Sequence, residues 1–288
     1  RFALLCEFRF FGIRETITHF MAKELDEHLA QIAGLSTKQI YNLSSTNLRA
    51  FTTTQIQAIE TNDLSVLATE KLSRLDSDGV QALSATQVKA MTTDQVVALR
   101  TEQFDVLKSE QVAALTTEQV SKIEAADIAV LDVAQVSAFG TDQVTVLETA
   151  QVASLTQGAV VGLGTEQVKA LTSEQVGKLT TEQVSVLETR DVAVLSSEQL
   201  RALSTDQVVA LGSERVSAIT NEALVGFGTD AIVALESDQV RALTTDQLNT
   251  LSSDNVRAIE TGDLRALRTE NLARLKTESV AALSSDQV

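Results

Sequence analysis

The chain has 288 residues, 23 of them basic and 39 acidic, for a formal charge of −16. A surface of that sign repels phosphate backbones and anionic membranes, so nucleic acid is excluded as an expected partner. No run of 18 or more apolar residues exists, so membrane insertion is not expected either. Two histidines, one cysteine, one tyrosine, no tryptophan and no proline leave few side chains for catalysis or metal binding.

In chain order, residues 1–20 form a non-repeat segment. Phe2, Phe8, Phe10, Phe11 and Phe20 and the lone Cys6 fall within it. It lacks the small-residue cleavage site of a secretory signal, and Arg9 and Arg14 interrupt its apolar stretch. Met21-Ala22-Lys23-Glu24-Leu25 reads as a natural start, so 1–20 is either non-native sequence or an ordinary N-terminal cap. Over residues 21–34, Leu25, Leu29 and Ile32 fall at i, i+4 and i+7. That spacing marks an amphipathic helix, which would cap the first repeat.

From Leu35 to Val288 the sequence is a single eight-residue unit, Leu-x-Thr-Glu-Gln-Val-x-Ala, without insertion or deletion. Its first and sixth positions are apolar in all 32 units, from Leu35 to Leu283 and from Ile40 to Val288. A fixed short period means an array in which each unit packs mainly on its neighbours. A continuous helix is excluded, because eight residues at about 100° each leave equivalent side chains drifting about 80° per repeat. A β-solenoid fits poorly, since positions one, six and eight mix the two faces of a strand. The expected fold is therefore all-α: an α-solenoid of very short helices, one octad per helix, about 31 in all.

Capping chemistry supports this. The third position is Ser or Thr in 27 of 32 units, and its hydroxyl is expected to cap the first helical turn. The fourth is Asp or Glu in 21 of 32, which complements the positive end of the helix dipole. The fifth is Gln in 18 of 32. Two readings stand there: amides bonding between adjacent coils, and a good helix former on a wet face, with the wet face preferred. The eighth, mostly small but Arg74, Lys122, Lys178 and Arg274 in places, is expected to be partly buried. A variant with Glu second and Asp fifth recurs at Glu60/Asp63, Glu124/Asp127, Glu188/Asp191 and Glu260/Asp263. It is read as duplication history.

No catalytic, cofactor-binding or metal-ligating residue is assigned, and no cofactor is expected. His19 and His28 lie nine apart without a cysteine at ligand spacing. Cys6 reads as a small buried hydrophobe. Tyr41 falls at an exposed seventh position. The acidic row lacks the clustered oxygens of a calcium loop. Gly162-Leu163-Gly164 sits inside the octad and forms no phosphate-binding motif.

Leu203-Ser-Thr-Asp-Gln-Val-Val-Ala-Leu211 resembles the opening helix of TAL-effector repeats, but the long repeat, base-reading loop and basic surface of that family are missing. Residues 35–288 resemble the tandem Leu-Thr-Thr-Glu-Gln-Val-x-Ala-Leu arrays of large bacterial proteins, many of which look secreted, surface-borne or filamentous. The resemblance implies an extracellular or cell-surface place; the missing signal peptide leaves the cytoplasm open. The sequence stops in mid-octad without a polar capping unit, so an apolar end would either continue or dock on another protomer. The expected function is a structural, non-enzymatic rod or protomer of a self-assembling bacterial filament, with itself as head-to-tail partner. The alternative is a solenoid scaffold that binds a protein partner.

Overall fold

A computed structural model describes residue 30 and residues 32–288. The readings on residues 1–20, Met21, Cys6, His19 and His28 lie outside the described residues, as does most of the expected 21–34 helix. Of that helix, Ala30, Ile32 and Ala33 are helical. Among the described residues every regular element after it is a helix of four to seven residues. There are 31 of these, from Thr37–Tyr41 to Thr277–Ala281, and no strand. The chain is all-α, with one helix per octad.

The corner between helices explains why the sequence needs so few turn residues. In most octads the first two residues leave the helical region for ordinary extended geometry, whereas Leu211 stays helical (φ −57°, ψ −36°). Leu171 has φ −56° and ψ 135°, and Thr172 has φ −70° and ψ 157°. Any L-residue adopts such angles without strain, so neither glycine nor proline is required. Gly212 (φ 67°), which follows Leu211, carries the only positive φ among the described residues. Its octad has Arg215 where most have Gln. The longer side chain donates from Nε to the Leu187 carbonyl and, at 3.1 Å, from Nη1 to the Leu211 carbonyl. The chain bends into the left-handed region beside it, where a Cβ would be strained.

Contacts divide the chain into two units, one reaching Val106 and one starting at Leu107. In the first, Thr53–Gln57 packs on Ser77–Ala82 and Thr61–Ser65 on Ala85–Ala90. In the second, Ala125–Ile128 packs on Thr149–Ser154 and Ser173–Gly177 on Ser197–Arg201. Each helix thus meets the third helix after it, and each unit is a solenoid. Within a unit the two apolar ladders become the core: sixth-position Val168, Val176 and Val184 and first-position Leu171 and Leu179 are buried. The eighth position is mostly half-buried, as its mixed composition implied. At Gly226 the coils approach so closely that a Cβ there would collide with the Ser197 carbonyl oxygen.

Candidate interaction surfaces

A helix of five or six residues cannot satisfy its own backbone, because the first four N–H and last four C=O groups of any helix lack intrahelical partners. Here nearly the whole element consists of such groups. The fifth-position Gln meets this need. Gln95 Oε1 accepts the Thr92 backbone N–H at 2.9 Å, while Thr92 Oγ1 accepts the Gln95 N–H at 3.2 Å. Gln95 Nε2 then donates to the Leu64 and Leu67 carbonyls of the coil below, at 2.9 and 2.7 Å. One amide closes the start of its own helix and the end of another. In the second unit Gln175 does the same. It accepts from Thr172 N–H at 2.7 Å and donates to Val144 and Leu147 carbonyls at 2.9 and 2.7 Å.

Two sequence expectations are corrected by this arrangement. The fifth position is not a wet face: Gln87, Gln95, Gln111, Gln119 and Gln175 are all buried. The amides of Gln87, Gln95 and Gln175 do bond between coils, to backbone carbonyls. The cap, moreover, lies one residue earlier than expected. Thr92, Thr116 and Thr172, at the second position, are the capping residues, and Thr93, Thr117 and Ser173 are the first helical residues. The reason is the reciprocal Thr-x-x-Gln capping box, which needs the hydroxyl three residues before Gln. The sequence did carry a signal for this. A helix former on a wet face would be Glu as readily as Gln, yet no unit has Glu fifth. Only a side chain that both accepts and donates can make the clasp.

Third-position hydroxyls have a different task. Thr165 Oγ1 donates to Asp191 Oδ1 at 2.9 Å, Thr245 Oγ1 to Asn271 Oδ1 at 2.9 Å, and Ser237 to Asp263. At Asp191 and Asp263 the recurrent Asp variant thus also joins coil to coil, and Asp63, Asp127 and Asp191 are buried. Burial pushes the Asp191 carboxyl above its ordinary pKa. The Thr165 hydroxyl and Arg190, at 3.9 Å, pull it back. An ionised carboxylate cannot donate to the carbonyls beneath. Asn271, in the same place, accepts from Thr245 and also donates to the Leu243 carbonyl at 2.9 Å. Asp191→Asn should accordingly gain that missing donor and stabilise the protein by about 1 kcal/mol near neutral pH. Because the folded pKa is raised, the penalty of Asp191 grows as pH rises from its unfolded value through its folded one. The gain should fade in acid. Urea unfolding at several pH values checks this, and a variant less stable than the parent at neutral pH would contradict it.

The fourth-position carboxylates, such as Glu102, Glu118 and Glu174, are exposed in the first turn. Glu182 and Glu198 are held below the usual carboxylate range by their own backbone N–H groups and by neighbouring hydroxyls. Tyr41 is exposed, with the Lys71 ammonium 5.3 Å from its ring centre. Gly164 serves as a cap whose N–H donates to Gln167 Oε1 at 2.7 Å. Among the described residues no three His, Cys, Asp or Glu side chains form a metal-ligating group. None of their helices is long and apolar enough to cross a membrane.

A family model described as the ALTTAQ repeat matches residues 56–93, 87–117, 120–157, 184–221, 216–253 and 256–288, well over half of the chain. No curated protein matches it.

Proposed function

We propose, for a chain that belongs to the ALTTAQ repeat family, that its work is mechanical and non-enzymatic: it is a structural solenoid that assembles with copies of itself into a filament. The observation that supports this is the clasp. Because the same amide joins coil to coil at many octads of each unit, the two faces of a coil are largely complementary to each other by construction. A contact of that type between copies is heterologous and yields an open fibre unless the rotation closes a ring.

The negative surface opposes association, and salt should relieve the repulsion. Sedimentation velocity from about 10 to 150 mM salt shortens the Debye length from about 30 to 8 Å. Particles should lengthen over that range. A salt-independent monomer would count against assembly and favour the second reading, a scaffold for a protein partner. That reading draws support from Val225 and Val233, which occupy the variable seventh position of neighbouring octads and are 54% and 49% exposed.

A further inference from the structure

The acidic character of this surface is interrupted in the first unit, where Arg49, Arg74 and Arg100, from three successive turns of the solenoid, line one cleft with Ser73, Leu75 and Asp76. Arg100 is fixed on the cleft wall: its Nε donates to the Ser73 carbonyl at 2.7 Å and its Nη2 to the Leu75 carbonyl at 3.3 Å. Its Nη1 stands 3.9 Å from Glu102, an exposed pair of little energetic weight. Arg49 and Arg74 are exposed, and no ion pair or side-chain hydrogen bond engages either of them among the described residues. The one carboxylate lining the cleft, Asp76, accepts the Gly79 backbone N–H with Oδ1 at 3.0 Å and so is held as a helix cap. Three guanidinium groups thus face one engaged carboxylate in a protein of charge −16.

We propose that this cleft binds a small phosphate-class oxyanion, a tetrahedral group carrying two or more negative charges. Guanidinium forks bind phosphate and carboxylate bidentately, and both are candidates on charge alone. Forks arriving from three different coils match oxygens that diverge in three directions, which a tetrahedral group has and a planar carboxylate lacks. The ligand is small because Glu70, Asp78 and Glu102, exposed fourth-position acids of the same unit, would repel an extended polyanion.

The test is calorimetric titration of the full chain with pyrophosphate, and separately with citrate, near neutral pH in about 10 mM salt. Pyrophosphate should bind saturably and more tightly than citrate. Arg74→Ala should weaken it by about tenfold or more, and Arg74→Lys by about threefold, since lysine keeps the charge but loses the fork. Arg49→Gln should weaken it as well and provides a second variant if Arg74→Ala does not fold, which circular dichroism reads. Arg201→Ala, an exposed arginine of the other unit, should change nothing. No saturable heat with pyrophosphate, or affinity within about twofold of the parent in folded Arg74→Ala, would overturn the site. Citrate binding as tightly as pyrophosphate would overturn the phosphate-class assignment.

Discussion

Replacing Gln175 with leucine should destabilise the second unit by about 2–4 kcal/mol, although the substitution adds apolar surface at a buried position. Two groups lose their partner at once and a third is left with one. The Thr172 N–H loses its acceptor and the Leu147 carbonyl its donor, while the Val144 carbonyl keeps only the Leu147 backbone N–H at 3.2 Å. A buried polar group left unpaired costs about 1–3 kcal/mol, more than the leucine side chain returns in burial it already largely had as glutamine. Gln175→Glu separates the two halves of the clasp. It keeps the acceptor for Thr172 but sets a carboxylate against two carbonyl oxygens. Its folded pKa must lie above the unfolded value of about 4.3, so the loss should be small in acid and grow as pH rises through that range. Chemical unfolding at acidic and neutral pH measures both. If Gln175→Leu unfolds like the parent, the amide contributes packing only.

Val176→Asp should cost still more, at least about 4 kcal/mol, because it puts an unpaired charge into a fully enclosed apolar ladder. Val176 is 1% exposed and lies in the row shared with Val168 and Val184. Each unit packs mainly on its neighbours, so the damage should spread from one coil to those above and below rather than stay local. Glu174→Gln, two residues away on the exposed row, should change stability by less than about 0.5 kcal/mol. Thermal unfolding of the two variants side by side checks the contrast. Similar losses from both would mean that the acidic row takes part in the fold.

The comparison between these neighbours also shows what could be read from residues alone. The ladders at Leu171 and Val176 are visible as strict apolar periodicity, and that was enough for the all-α solenoid with one octad per helix. The place of the cap was not, because Ser and Thr are commoner at the third position than at the second. Frequency pointed to Thr93, whereas geometry selects Thr92, the residue whose hydroxyl is three before Gln95. The role of Gln was hidden for a different reason. Its donors reach carbonyls on the previous turn, 28 and 31 residues back in the case of Gln95, and no local pattern reports on a contact at that range. The same applies to Thr165 and Asp191, which meet across the coils, and to the convergence of Arg49, Arg74 and Arg100. Contacts set by the pitch of a solenoid become legible only once the number of octads per turn is known, and here it lies between three and four.

That Gln is the clasp joining helix start to coil below is tested most directly by native-state hydrogen exchange at the capping amides. N–H groups at the start of a helix ordinarily lack a partner and exchange quickly. Here the Thr172 N–H is held by Gln175 Oε1, whereas the octads of Ala159 and Ala223 offer no side-chain acceptor to the Thr156 and Thr220 N–H groups. Thr172 should therefore exchange about as slowly as Val176 in the middle of its helix, Thr156 and Thr220 much faster, and Thr172 should join the fast group in Gln175→Leu. Equal protection at Thr156, Thr172 and Thr220, unchanged by the substitution, would contradict the clasp.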